Sequence, residues 1–163
     1  MNLEKAETLA KALIKEHLSD TYDFKWGKAK KTFGVCYYPM DKRKGYIRLS
    51  SILVALNTEE HVKDTILHEI AHAIVGFEAG HGKEFKRVAK RLGCTSLTAA
   101  KAGRVPDPAY VLYSPKTGNI LKKWARRPNK QTFNTLEWGY ERGARDLTLG
   151  TLQILTWGEY NAK

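Results

Sequence analysis

Cysteine is scarce in this chain of 163 residues: there are two, Cys36 and Cys94, far apart and in no Cys-x-x-Cys pair. A disulfide framework and a four-cysteine zinc site are therefore excluded, and the usage fits a reducing compartment. Long apolar runs are missing too. No stretch approaches the ~18–20 residues that a membrane crossing needs, and the opening MNLEKAETLAKALIKEHL is too charged for a signal-peptide core. The expectation is a cytoplasmic protein without membrane contact, read as a monomer. Internal repeats and low-complexity tracts are absent as well. With 42% hydrophobic and 10% aromatic residues, the chain suits one folded domain, or one domain with a small appendage.

Acidic residues are missing from one place in particular. Residues 1–82 hold 12 Lys/Arg against 11 Asp/Glu, and residues 131–163 hold 3 against 4. Residues 83–130 hold 13 against 2, so the whole net charge of +11 sits in that block. Segregated cationic charge suits a polyanionic partner, nucleic acid above all. Two clusters stand out. Lys83, Lys86, Arg87, Lys90 and Arg91 recur at helical spacing, and Lys122, Lys123, Arg126, Arg127 and Lys130 surround Trp124 near Tyr110 and Tyr113. Cations for phosphates beside aromatic platforms for bases suit single-stranded or non-specific DNA. The competing reading puts Trp124 and the tyrosines in the core of a β module.

Apolar spacing predicts a helix over Leu3–Leu18, with Leu3, Ala6, Ala10, Leu13 and Leu18 along one side. From Tyr22 to Leu49 the alternation predicts two or three antiparallel strands. A second helix should begin near Asn57 or Thr58, where Asn57 and Glu60 make a capping-box pattern, and its apolar face would be Val62, Ile66, Ile70, Ala73, Ile74 and Phe77. A third is expected from about Lys83 to Leu92, with Phe85, Val88, Ala89 and Leu92 inward. The VPDP stretch marks a boundary. Beyond it YVLYS, NILKKWAR and TLGTLQILTW read as a small β appendage.

What is present at the centre is HEIAHAIVGFEAGHGKEF, His68 to Phe85. His68 and His72 lie one helical turn apart, off the apolar stripe, so both imidazoles can ligate one ion. Glu69 stands at the edge of that face, where it can reach a water on the metal without ligating; this is the His-Glu-x-x-His pattern of zinc peptidases. A third ligand is needed, and Glu78 and His81 are the candidates. Glu78 would face away if the helix continued, whereas Gly80 and Gly82 let the chain reverse and return His81, which is preferred.

These motifs resemble the SprT-like (Spartan-type) zinc metalloproteases. GVCYY followed by IRLS, TEEHVKDTILHEIAHAIVG and GHGKEFKRVAKRLG carry the likeness over most of residues 22–93. The resemblance implies an α+β fold: a minimal zincin-like domain over residues 1–104, with helices and a small antiparallel sheet, followed by a β-rich module over 105–163. It implies one Zn²⁺ per chain on His68, His72 and His81, Glu69 as general base, a protein substrate, and association with DNA. Many relatives append a four-cysteine ribbon; here Ser114 and Thr117 stand where two cysteines would be expected, so the module is read as ribbon-like without a metal. The alternative to a peptidase is a nucleic-acid-binding module whose zinc is structural or inactive.

Overall fold

The computed structural model describes residues 1–41, 43–98 and 103–163. Helix α1 spans Leu3–Leu18, as the spacing predicts. Asn2 starts it, its side chain accepting from the Glu4 and Lys5 amides at 2.8 and 3.2 Å, a cap worth ~1 kcal/mol. Ala6, Ala10 and Ile14, one turn apart, form the buried row. Leu13 and Leu18 pack at its margin, and Leu3, at the helix end, stays 40% exposed.

Three strands follow: β1 (Tyr22–Gly27), β2 (Gly34–Tyr37) and β3 (Gly45–Ser50), ordered β1-β3-β2 in one sheet. β2 and β3 are antiparallel, as the alternation predicts, with Cys36 opposite Ile47. β1 and β3 are parallel, with Phe24 opposite Ile47 and Trp26 opposite Leu49. A tight turn cannot join parallel neighbours; here β2 makes the return run, and β3 then inserts between its two predecessors. That leaves β2 on the edge of the sheet.

Helix α2 (Ser51–Leu56) follows β3 directly, capped by the Ser50 side chain, an element that alternation alone does not reveal. Helix α3 (Glu59–Val75) is capped by Thr58, whose hydroxyl accepts from the His61 amide at 3.4 Å. Asn57 does not serve as that cap. It closes α2, and its side-chain amide donates to the Arg104 carbonyl at 2.9 Å and accepts from the Arg104 amide at 2.8 Å.

α3 is buried on two sides. Val62, Ile66 and Ile70 join Ala6, Ala10, Ile14, Ile47 and Leu49 in one core cluster. Leu67 and Ala71 join Phe85, Val88 and Ala89 of helix α4 (Lys83–Arg91) in a second. Each large aliphatic side chain so buried contributes ~1.5–3 kcal/mol. The expected stripe stops short of its end: α3 finishes at Val75, and Gly76 (φ +85°) turns the chain, so Phe77 leaves the helical register and is 80% exposed.

The chain divides into two compact units, Met1–Pro106 and Asp107–Lys163. The second holds an antiparallel sheet ordered β5-β4-β6, from β4 (Tyr110–Tyr113), β5 (Ile120–Trp124) and β6 (Gln153–Thr156). Short helices α5 (Lys130–Asn134), α6 (Arg145–Thr148) and α7 (Trp157–Asn161) interrupt it, so the stretch TLGTLQILTW contributes only four residues to a strand. Val111 and Leu152 are its buried hydrophobics, a small core for a unit of this size. Polar links supplement it: Glu141 accepts from the Thr117 hydroxyl and from Asn119 Nδ2, and its own amide donates to Thr148 Oγ1 at 2.8 Å. Among the described residues, no helix is long and apolar enough to cross a membrane.

Candidate metal centre

α3 projects His68 and His72 one turn apart toward the cleft. Between α3 and α4 the chain makes a 3₁₀ turn, Phe77–Ala79, bounded by Gly76 (φ +85°) and Gly80 (φ +46°). Neither glycine has an atom within 4 Å of where a Cβ would sit; what they supply is backbone conformation, in a region L side chains disfavour. The reversal returns His81 over the helix, its Nε2 3.1 Å from Nε2 of His72 and 3.1 Å from Nε2 of His68. Phe85, fully buried at the first turn of α4, lies beneath all three rings, with centroids 4.4–4.9 Å away. Glu78 stands outside the group.

The donor set fits a metal ion. All three ligand atoms lie within 4.8 Å of one another, and nitrogens bound at ~2.0–2.1 Å to one tetrahedral ion would sit roughly 3.3 Å apart. His68 Nδ1 donates to the Ser96 carbonyl at 2.9 Å, in a buried bond, which leaves the Nε2 lone pair facing the other two rings. Burial, reinforced by repulsion from His68 and His81, pushes the His72 imidazole down to about 4, and burial lowers His68 as well. Neutral rings are the form that ligates.

Glu69 is 6% exposed. Burial pushes its carboxyl up to about 7, against a hydrogen bond from the Cys36 amide on edge strand β2. Gly34, two residues before Cys36, makes that approach possible. A Cβ there would lie 2.9 Å from both Glu69 Cγ and Thr65 Cγ2, closer than carbon atoms pack. Gly34→Ala is thus expected to displace the Glu69 side chain or the strand, at a cost of ~1–3 kcal/mol, read as a fall in thermal midpoint with an accompanying loss of activity.

The imidazoles and Glu69 open into a cleft of ≈ 500 Å³, walled by Gly34–Cys36 of β2, Tyr38, Phe77 and the 103–105 segment. Tyr38 and Phe77 meet edge-to-face across it at 6.0 Å. Two imidazoles on one helix, a third from a glycine turn before a buried phenylalanine, and a neighbouring carboxylate make up the centre, and the SprT-like family profile matches residues 4–106 around it. The chain belongs to the SprT-like family. Compared with curated proteins, it matches none.

Reading the sequence missed three contributors to this SprT-like centre: Gly34, the Cys36 amide and Ser96. Ser96 lies 28 residues beyond His68, in a stretch without periodicity, and carries no local signal. In the SprT-like unit, Lys83, Lys86, Arg87, Lys90 and Arg91 are all exposed on α4, and Arg87 pairs with Glu84 at 3.3 Å. In the second unit Lys122, Lys123, Arg126, Arg127 and Lys130 are exposed, and Trp124 is half-buried. Lys122 lies over Trp124 (5.4 Å) and Lys123 over Trp157 (5.7 Å), opposite faces of β5, as strand alternation requires. Lys122 and Lys123 therefore do not share a face.

Proposed function

We infer that this SprT-like chain is a zinc-dependent metallopeptidase that cleaves DNA-associated proteins, with one Zn²⁺ on His68, His72 and His81 and Glu69 as general base. The observation that carries the reading is a donor set of three imidazoles beside a buried carboxylate, opening on a cleft. Structural zinc usually has four protein ligands, whereas catalytic zinc keeps one position open.

When bound, the ion supplies Lewis acidity and lowers the pKa of water to about 7. His68, with its Nδ1–H committed to Ser96, offers Nε2 in a set orientation. Glu69 accepts a proton at a carboxylate oxygen as water attacks the carbonyl carbon, and returns it to the amine nitrogen as the C–N bond breaks. Its desolvated position, with the Cys36 amide on the carboxylate, holds it at the cleft floor. The unpaired side of edge strand β2 offers backbone groups to an extended chain, a mode that suits polypeptide substrates. The apolar wall at Tyr38 and Phe77 would take side chains.

Association with DNA is supported by the cationic block, and a cytoplasmic setting by a chain with only two cysteines, both free. Binding of single-stranded DNA should weaken linearly in log–log against salt, with a slope near −0.7 per phosphate contact. Replacing Lys122, Lys123, Arg126 and Arg127 together by alanine is expected to flatten that slope by up to roughly 3, with zinc content unchanged. Fluorescence anisotropy across a salt series reads this; an unaltered slope removes these residues from recruitment.

The test of the whole reading is metal analysis of the purified chain together with casein or histone degradation, with and without single-stranded DNA. One zinc per chain with cleavage supports it. Zinc without any cleavage leaves a nucleic-acid-binding module with a structural metal.

A further inference from the structure

We propose that Asp64 is a positioning residue for the metal centre: it locks the Thr95–Ser96 segment so that the Ser96 carbonyl holds His68 Nδ1 and keeps the His68 Nε2 lone pair on the shared site. The proposal rests on the reading of the three imidazoles as a zinc site.

Asp64 precedes His68 by one turn of α3, so its side chain and the imidazole share a helix face. Its Oδ1 accepts from the Thr95 amide at 2.5 Å and from Thr95 Oγ1 at 3.0 Å, and its Oδ2 accepts from Ser96 Oγ at 2.5 Å. The Asp64 carbonyl also accepts from Cys94 Sγ at 3.5 Å. Although burial alone would raise the Asp64 carboxyl, the bonds from Ser96, Thr95 and Cys94 hold it below the usual carboxylate range, so it is acceptor-only toward its donors. Beyond Asp64, the segment is held by Cys94 and Leu97, which pack on the second core cluster, and by Cys94 Sγ, which donates to the Ser96 carbonyl at 3.4 Å. The segment leaves α4 through Gly93 (φ +81°) and lies in neither helix nor strand.

The Ser96 carbonyl then meets His68 Nδ1 at 2.9 Å. Among the described residues, neither His72 nor His81 has a hydrogen bond at Nδ1, so His68 is the ligand whose tautomer and ring angle the protein sets from behind. It is also the most buried of the three, at 3% exposure, where an unanchored ring would have no water to orient it. A partner behind a ligand commonly changes metal affinity by about 10- to 100-fold. Here that partner is a backbone carbonyl, which no substitution can delete, so the side chain that places it carries the effect.

The experiment uses the full chain and its Asp64→Asn variant, in which one of the two acceptor oxygens becomes an N–H donor, so that either the Thr95 amide and hydroxyl or the Ser96 hydroxyl loses its acceptor. Zinc affinity is measured by competition with a chromophoric chelator, and the visible ligand-field spectrum is recorded on the Co²⁺-substituted protein. The expected result is zinc binding weakened about 10- to 100-fold and altered Co²⁺ bands, with the far-ultraviolet circular dichroism of the wild type. Ser96→Ala, which removes one hydroxyl and leaves α3 intact, should move both readouts in the same direction by less. It decides the matter if Asp64→Asn does not fold. A loop that merely stabilises the fold would lower the thermal midpoint and leave the Co²⁺ spectrum alone. A folded variant with wild-type affinity and spectrum overturns the role of Asp64. A wild-type chain that binds neither metal overturns the zinc reading along with it.

Discussion

Glu69→Gln is expected to retain one zinc per chain and to slow casein or histone cleavage by about 10²- to 10⁴-fold, the range that a positioned general base contributes. The substitution keeps the volume of a side chain that is 6% exposed and can still accept from the Cys36 amide, so packing is preserved. What disappears is the ability to take up a proton. Stability should move the other way. Burial raises the Glu69 carboxyl from 4.5 to about 7, so in the metal-free protein the folded state holds a proton that the unfolded chain has released. Stability is therefore lost as pH rises between those two values. Glutamine has no charge to desolvate, so metal-free Glu69→Gln should melt at or above the wild-type temperature at pH 8. Unchanged cleavage with zinc still bound would remove Glu69 from the chemistry and point to a different proton acceptor.

His81→Ala should take zinc from one per chain to a trace and abolish cleavage, because two imidazoles on one helix are left to hold the ion. The residue is exposed and lies in a glycine-bounded turn, so its loss is not expected to unfold the domain. A thermal readout separates loss of metal from loss of fold. A ligand that binds only the native state at a thousand times its Kd adds about 4.1 kcal/mol; the wild-type midpoint should rise with added zinc and fall with a chelator, and that of His81→Ala should respond to neither. Glu78→Gln is the matched control. Glu78 lies three residues away on the same turn, outside the donor group, and its variant should bind and respond as wild type. The reverse pattern would make Glu78 the third ligand.

Much of this centre was legible because it is local. A four-residue spacing on a helix puts His68 and His72 together in any fold that keeps the helix, and the glycines around His81 announce a reversal without saying where it leads. Leu3–Leu18 and Lys83–Arg91 could be drawn from periodicity for the same reason. The misreadings lay at element ends and between distant segments. Thr58 and Asn57 are both competent caps, and the choice between them turned on Asn57 engaging the Arg104 backbone, far along the chain. Phe77 fits the helical stripe by number, yet the helix ends two residues earlier, at Val75.

The sequence by itself determined that His68 and His72 share one helix face with Glu69 at its edge and that a cationic block follows, since residue type and spacing along one helix need no partner to be read, whereas the fold brought His81 rather than Glu78 to them. Only the tertiary structure decided that β1 and β3 run parallel and that Gly34 clears space for Glu69. It alone set the Ser96 carbonyl behind His68. Those outcomes depend on which distant segments share a few ångströms, and contacts across long loops leave no period in the chain from which to infer them.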